Sequence, residues 1–317
     1  MPLVTYADVQ AARERIAGRA YRTPVVRSRN LSALLGVDLY LKLEPMQKTG
    51  SFKVRGALNR VAALTAHEKA RGVITLSAGN HAQALAWAAA GAGVGCVVVM
   101  PATAVRSKVE ATRGYGGEVI QTDGDLMATV ETVRAERGLA LVHPFDDAAI
   151  IAGAGTATDE ALDDVPDADA VVAGVGGGGL VSGAAVVARA RRPSARIIGV
   201  EPEGAAAMRQ SLDAGRPVTL AAPPKTVADG LAAPFAGALT FAHVRDLGVE
   251  VHVVPDAAIV DAMWLLMERV KVVVEPAAAA GLAALLAGHG GPLPRGAKVV
   301  YLVSGGNVDR ERLRVLG

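Results

Sequence analysis

Short hydrophobic runs alternate with alanine-rich stretches along almost the whole chain. Nine of the runs are rich in Val, Ile and Leu, and several are hydrophobic from end to end rather than at every second position. Continuous runs of this kind are typical of strands covered on both faces, as in parallel sheets. The pattern therefore predicts an α/β protein with mostly parallel sheets. The predicted strands are residues 37–43, 72–76, 96–100, 118–122, 139–143, 169–175, 196–200, 249–254 and 298–304.

The alanine-rich stretches between these runs predict helices. Asp256 follows Pro255 and is the predicted N-cap of the last helix. Residues 202–225 are rich in Gly, Pro and Ala and form the predicted linker. Nine strands fit two open, twisted α/β domains better than one. The predicted helices are residues 80–90, 105–113, 125–136, 179–190 and 256–270.

Composition narrows the class of protein. A chain of 317 residues is long enough for two domains, and a hydrophobic fraction of 51% excludes a largely disordered chain. The net charge of +2 is too small to indicate a nucleic-acid partner. Cys96 is the only cysteine, which excludes a disulfide framework and fits a reducing compartment. Because it lies in the apolar run 95–100, we expect it to be buried.

Two uncharged stretches, residues 82–105 and 170–188, are long enough to span a bilayer. Three glycines and Pro101 interrupt the first, and four consecutive glycines interrupt the second. Each stretch is therefore better explained as two elements joined by a turn. The start of the chain has no signal-peptide pattern. We expect a cytoplasmic protein with no membrane partner.

Lys53 lies in the motif KTGSFKVRGALN, residues 48–59. The motif follows a predicted strand and opens a helix, so the lysine is near a helix N-terminus, between Phe52 and Val54. Burial and the positive end of the helix dipole would both disfavour the ammonium ion. The neutral amine could then attack a carbonyl group and form a Schiff base. On its own, the lysine is more simply explained as a surface residue of an amphipathic helix.

Two turns between a strand and a helix are candidate anion sites. The first opens SAGNHAQALAWAAA, residues 77–90, where Ser77, Asn80 and the first helix amides could bind a carboxylate. Helix capping by either side chain is an equal alternative. The second contains four glycines, in VVAGVGGGGLVSGAA at 171–185, and could hold a phosphate. Ser304, in the motif VSGGN, lies at the carboxyl end of the last strand, where α/β sheets place ligand groups.

The glycine run also fits a different cofactor. Gly174, Gly176 and Gly179 match the dinucleotide-binding pattern GxGxxG, and Glu201 follows 22 residues later as a candidate ribose-binding acid. A nicotinamide-dependent dehydrogenase is therefore an alternative. It leaves the lysine motif and residues 77–81 without a role.

Taken together and in order, seven motifs resemble those of the fold-type II (tryptophan-synthase-β-like) pyridoxal-phosphate enzymes. Within that family the chain resembles the serine/threonine dehydratase and serine racemase branch, over nearly its whole length. The resemblance implies two α/β domains with pyridoxal 5'-phosphate in the cleft between them. It implies a large domain of residues 1–65 and 147–317 and a small domain of residues 66–146. The motifs are KTGSFKVRGALN, SAGNHAQA, HPFDD (143–147), VGGGGL (175–180), TVADGLA (226–232), VEPAAAAGLAALL (274–286) and VSGGN.

The resemblance also implies roles for individual residues. Lys53 aligns with the lysine that attaches the cofactor, Phe52 with the residue beside it, and Asn80 with the partner of the ring hydroxyl. Ser304 aligns with the partner of the pyridine nitrogen. The phosphate cradle would be Gly176, Gly177, Gly178, Gly179 and Leu180, and the loop that holds the substrate carboxylate would be Ser77, Ala78, Gly79, Asn80 and His81.

The expected reaction is β-elimination from a 3-hydroxy amino acid, L-threonine and/or L-serine, which yields a 2-oxo acid and ammonia. A neutral serine beside the pyridine nitrogen makes the ring a weaker electron sink than a carboxylate would, which favours loss of a β-hydroxyl over transamination. Family racemases resemble S-S-G-N-H at the substrate loop, whereas this chain has Ala78, which cannot transfer a proton. Serine racemase, 3-hydroxyaspartate dehydratase, a β-replacement enzyme and a catalytically idle cofactor-binding protein remain alternatives.

Three further expectations come from the resemblance. The family's cation site would use Glu201, but its second acid is replaced by Ala207, so we expect no bound metal. The chain ends 10 residues after Asn307 and so resembles the short catabolic dehydratases, which are not inhibited by isoleucine. The family suggests a homodimer or homotetramer.

Overall fold

The computed structural model describes residues 2–291 and 293–317, which fold into two sheets covered by helices. The strands are β1 (Val25–Arg27), β2 (Asp38–Leu43), β3 (Val73–Leu76), β4 (Cys96–Pro101), β5 (Glu118–Thr122), β6 (Ala140–Leu141), β7 (Ala170–Gly174), β8 (Arg196–Pro202), β9 (Glu250–Val254) and β10 (Lys298–Val303). The helices are α1 (Tyr6–Ile16), α2 (Arg29–Leu35), α3 (Lys53–Ala62), α4 (Ala66–Arg71), α5 (Asn80–Ala90), α6 (Arg106–Gly114), α7 (Leu126–Arg137), α8 (Ala148–Asp164), α9 (Gly179–Arg191), α10 (Ala207–Ala214), α11 (Ala238–Asp246), α12 (Asp256–Val270), α13 (Ala280–Leu286) and α14 (Arg310–Leu316).

The larger sheet has six strands in the order β1-β2-β10-β7-β8-β9. All neighbours are parallel except β1 and β2. One face packs on α1, α8, α9 and α11, and the other on α2, α12 and α13. Because helices cover both faces, β7 and β10 are buried along nearly their whole length. This two-sided burial explains the continuous hydrophobic runs in the sequence.

The smaller sheet has four parallel strands in the order β5-β4-β3-β6. Helices α3 and α5 pack on one face and α7 on the other. The four strands come from one continuous stretch of chain, residues 73–141. The division into domains 1–65 with 147–317 and 66–146 stays a prediction.

The structure confirms the α/β class and all nine predicted strands, although the strand predicted at 139–143 is only two residues long. The edge strand β1 was not predicted. The predicted linker 202–225 is wrong in part, because it contains α10. The predicted N-cap is also wrong: Pro255 occupies that position, and the Asp256 carboxylate instead accepts hydrogen bonds from Thr226 and Val227.

Two smaller expectations concern apolar segments. Cys96 is buried in β4, as predicted, and this burial raises the pKa of its thiol to about 12. The uncharged stretches 82–105 and 170–188 fold as separate helices and strands joined by turns. Within the described residues, no helix is both long enough and apolar enough to cross a membrane.

Candidate active site

A cavity of about 370 Å³ lies between the two sheets and is lined by residues from both. It brings together every residue assigned to the cofactor or the substrate from the sequence. These residues are Phe52, Lys53, Ser77, Ala78, Gly79, Asn80, His81, Gly176, Gly177, Gly178, Gly179, Leu180 and Ser304. Their individual roles stay predictions, but the structure shows that they line one shared space.

Lys53 is the first residue of α3 and is half-buried at the cavity. Its Nζ donates a hydrogen bond to the Pro144 carbonyl at 2.9 Å. Desolvation lowers the pKa of Lys53 to about 8, and the nearby Glu275 opposes this shift. More of the Lys53 amine is therefore neutral at pH 7 than in a solvent-exposed lysine. A surface lysine, the simpler explanation from sequence, is excluded by this position.

A buried charge network holds the first turn of α3. The Arg55 guanidinium is fully buried and donates to the carboxylates of Glu44 and Glu160 at 2.8–2.9 Å. Lys42, in β2, donates to the same Glu160 at 2.6 Å. Buried charges are tolerated only when they are paired and hydrogen-bonded in this way. The network fixes α3, and with it Lys53, against β2 and α8.

The glycine run forms a cradle at the start of α9. Gly178 is the N-cap residue with φ +93°, and no side chain caps this helix. Within the described chain, the amides of Gly176, Gly177 and Gly178 donate to no backbone carbonyl. Free amides at a helix N-terminus are what a phosphate group requires. The cradle also has no room for side chains, because a Cβ on Gly177 would lie 2.1 Å from the Phe145 ring.

Residues 77–79 form the turn that leads into α5, and Asn80 and His81 are the first two residues of this helix. Its N-cap is Gly79, which has no side-chain oxygen, and Ser77 Oγ accepts from the Gly79 amide at 3.2 Å. Capping of α5 by Ser77 or Asn80, the alternative from sequence, does not occur. The N-terminus of α5 is therefore available to an anion. His81 is buried, and desolvation together with Lys53 lowers its pKa to about 3, so its imidazole is neutral at pH 7.

The HPFDD loop closes the cavity beside Lys53. His143 Nδ1 accepts from the Asp146 amide at 2.9 Å, and the Phe145 ring meets the His143 ring edge-on with centroids 4.5 Å apart. The Asp146 carboxylate accepts from three amides at the start of α11. These contacts fix the backbone between His143 and Asp146. They therefore also fix the Pro144 carbonyl, which accepts the hydrogen bond from Lys53 Nζ.

Sequence reasoning missed four residues at this site. Glu275 is buried and accepts from Asn80 Nδ2 at 2.7 Å, and Asn307 Nδ2 donates to Asn80 Oδ1 at 2.8 Å. Lys108 of α6 forms an ion pair with Asp229 at the cavity wall. Three of the four lie in quoted motifs but had no assigned role. Glu275 was detectable as the one acid in an otherwise apolar segment, 274–286.

Glu201, the weak metal candidate, does not line the cavity. Its buried carboxylate accepts from the amides of Met208 and Arg209, both at 2.8 Å, and so caps α10. Burial raises the pKa of Glu201 to about 7. Among the described residues no three His, Cys, Asp or Glu side chains cluster as a metal site would require. The dinucleotide alternative loses its ribose-binding acid, because Glu201 lies outside the cavity.

Known proteins resemble this chain along nearly its full length. A family model described as pyridoxal-phosphate dependent enzyme matches residues 16–305. A serine racemase from Oryza sativa subsp. indica is 43% identical over 96% of this chain and 91% of its own length. A β-hydroxyaspartate dehydratase from Paracoccus denitrificans is 42% identical over 99% of both chains. A solved threonine deaminase from T.th. superposes with a TM-score of 0.90, at 43% identity over 96% of this chain and 99% of that one.

A half-buried lysine and a run of free glycine amides line one cavity, and such a pair would suit a cofactor that carries both a carbonyl group and a phosphate. The chain belongs to the pyridoxal-phosphate-dependent enzymes, in their fold-type II group. Within that family it lies in the branch of lyases and racemases. The dehydrogenase alternative is thereby wrong, and pyridoxal 5'-phosphate is the cofactor. The residues present fit it, since the free glycine amides suit its phosphate and Lys53 suits its carbonyl carbon.

Proposed function

We propose that this protein removes water from L-threonine and/or L-serine by β-elimination and releases a 2-oxo acid and ammonia. The observation that carries the proposal is Ala78 in the substrate loop at the cavity wall. A racemase needs a second proton-transferring group opposite the lysine, and a methyl group cannot serve. The solved threonine deaminase has the same fold at 43% identity, which supports the same reaction.

Each wall of the cavity has a part in the proposed reaction. When bound, pyridoxal phosphate supplies an electron-withdrawing ring that stabilises negative charge at the substrate Cα. The N-terminus of α5 binds the substrate carboxylate, and the glycine cradle binds the cofactor phosphate. Lys53, with its lowered pKa, takes the Cα proton as a general base. Phe145 and Phe235, whose ring centroids are 5.5 Å apart, exclude water from this side.

The charges around the cavity favour a substrate with a neutral side chain. Lys108 is paired with Asp229, and the pKa values of His81 and His143 are lowered by desolvation, so both rings are neutral at pH 7. Among the described residues that line the cavity, Lys53 is then the only cation without a carboxylate partner, and it attaches the cofactor. A second substrate carboxylate, as in 3-hydroxyaspartate, would lack a free cation and would face Asp229. The cytoplasmic location and the homodimer or homotetramer stay predictions.

Product analysis with L-serine separates the proposed reaction from racemisation. The reconstituted enzyme is incubated with L-serine, and pyruvate and D-serine are quantified in the same samples. We expect pyruvate to exceed D-serine by more than about a hundredfold, because removing a positioned acid or base costs about that factor. Equal or greater formation of D-serine would overturn the proposal. The same assay on Ala78→Ser tests the argument directly, since a hydroxyl at this position should raise D-serine formation.

A further inference from the structure

Three side chains, those of Asn307, Asn80 and Glu275, form a hydrogen-bonded chain, and Asn80 and Glu275 line the cavity. Asn307 Nδ2 donates to the Thr49 carbonyl at 2.7 Å and to Asn80 Oδ1 at 2.8 Å. Asn80 Nδ2 then donates to Glu275 Oε1 at 2.7 Å. A backbone carbonyl can only accept, so the Thr49 carbonyl fixes which end of the Asn307 amide faces it. That choice makes Asn80 Oδ1 an acceptor and points its amide nitrogen at Glu275.

The backbone at Thr49 is shaped for this contact. Thr49 has φ +60°, which is rare for a β-branched residue, and Gly50 follows with φ +71°. A Cβ on Gly50 would lie 2.2 Å from Asn307 Oδ1. The turn therefore admits the Asn307 side chain only because residue 50 is glycine. A strained turn that receives one side chain fixes the start of the hydrogen-bonded chain.

Glu275 terminates the chain of hydrogen bonds inside the protein. It lies just before the 3₁₀ turn Pro276–Ala278, is only 4% exposed, and borders the cavity. Its Oε1 also lies close to the backbone of the VSGGN motif, since a Cβ on Gly305 would be 2.6 Å away. An amide nitrogen has two N–H groups, so Asn80 keeps one donor after binding Glu275. Because Asn80 lines the cavity, this second N–H is available to a group bound there.

We infer that Glu275 is a positioning residue, which orients the Asn80 amide and thereby fixes the hydrogen bond that Asn80 donates to the ring hydroxyl of the cofactor. The inference rests on the predicted role of Asn80, but it does not depend on which amino acid the enzyme consumes. Without Glu275, nothing in the described chain that contacts the Asn80 nitrogen would hold that end of the amide.

The protonation state of Glu275 determines which substitution preserves its hydrogen bond with Asn80, and the charged groups around Glu275 set that state. Burial is the main cause that raises the pKa of Glu275, and Asp229 adds to it; Asn80, Lys108 and the Asn307 backbone oppose the shift, and the resulting pKa is about 8. Lys53 is the remaining charged group that interacts with it. The side chain is therefore mostly a neutral acid at pH 7. A glutamine has the same shape and keeps the acceptor oxygen, so Glu275→Gln should preserve the contact and Glu275→Ala should lose it.

The test measures cofactor binding to the apoenzyme in a double-mutant cycle with Asn80→Ala. Pyridoxal phosphate is titrated into wild type, Glu275→Ala, Glu275→Gln, Asn80→Ala and the double variant with Ala at both positions, and the visible absorbance of the bound cofactor is recorded. We expect Glu275→Ala to weaken binding about tenfold and to shift the absorbance maximum, because one buried hydrogen bond is lost. Glu275→Gln should bind within about threefold of wild type, with the wild-type spectrum. In the Asn80→Ala background, Glu275→Ala should lower the affinity for pyridoxal phosphate by less than about threefold.

Three results would overturn the inference. Glu275→Ala with wild-type affinity and spectrum would show that the carboxyl group positions nothing. An undiminished effect in the Asn80→Ala background would show that Glu275 acts independently of Asn80. If Glu275→Ala fails to fold in a thermal melt, Glu275→Gln decides alone, and a tenfold loss of affinity in this variant would contradict the inference. None of these readouts uses turnover, so failure here is distinct from failure of the proposed reaction.

Discussion

The tight packing of the phosphate cradle predicts the effect of one added methyl group. In Gly177→Ala the new Cβ would lie 2.1 Å from Cγ of Phe145 and within 2.4 Å of its neighbouring ring atoms. Phe145 cannot move freely, because its ring packs against His143 and Phe235. Forcing extra volume into a packed site costs about 1–3 kcal/mol. To make room, Phe145 must move, and the loop that carries the neighbouring Pro144 carbonyl moves with it. The substitution therefore disturbs both the glycine cradle and the hydrogen bond of Lys53.

We expect Gly177→Ala to weaken pyridoxal phosphate binding by about 5- to 150-fold, which is that cost expressed as a dissociation constant. The assay is a titration of the apoenzyme, with a thermal melt of each apoprotein alongside. Gly95→Ala is the matched control, because a Cβ on this exposed glycine meets nothing within 4 Å and its φ is outside the left-handed region. Equal dissociation constants for the two variants would refute the argument that the cradle is closed by Phe145.

Three further predictions test other parts of the site. Lys53→Ala should still bind the cofactor through the glycine cradle but should release 2-oxo acid about a thousandfold more slowly, because the base is gone; an unchanged rate would remove Lys53 from the mechanism. The pKa of Lys53 near 8 predicts that cofactor attachment to the apoenzyme accelerates about tenfold per pH unit up to about pH 8 and is constant above it, since only the neutral amine attacks; a plateau reached only near pH 10 would contradict this. Asp229→Asn should raise kcat/KM for L-threo-3-hydroxyaspartate relative to L-threonine about fivefold, because Lys108 loses its neutralising partner; an unchanged ratio would show that the pair does not select substrates.

The sequence predicts most of the fold because the long strands have a distinct hydrophobic pattern. Strands β7 and β10 are hydrophobic at nearly every position, which a doubly covered sheet explains. By contrast, β1 has three residues, lies at the sheet edge and is mostly exposed, so its pattern is no different from that of a loop. Asp256 was misassigned because the sequence does not show that Thr226 and Val227 lie nearby and bind its carboxylate.

For the candidate site, too, some features could be predicted from the sequence and others could not. The glycine run has a local signature, since glycines at the start of a helix offer no side-chain cap. The turn at Ser77 does not, because the sequence equally allows Ser77 or Asn80 to cap the helix, and only the structure shows that neither does. The partner of Lys53 is a backbone carbonyl, which no residue type marks. Glu275 and Asn80 are 195 positions apart, and only the folded chain brings them within 2.7 Å. Contacts of this kind depend on the packing of the two sheets, not on any one motif.

The central claim is that this enzyme eliminates water from a neutral 3-hydroxy amino acid. Its most direct test is the initial rate of 2-oxo acid release by the enzyme reconstituted with pyridoxal phosphate. The substrates are L-threonine, L-serine, their D-forms and L-threo-3-hydroxyaspartate, each at several concentrations. We predict release from L-threonine or L-serine, with kcat/KM above that for the acidic substrate and no release from the D-forms. Release from L-threo-3-hydroxyaspartate alone, or from none of the five with the cofactor bound, would contradict the claim.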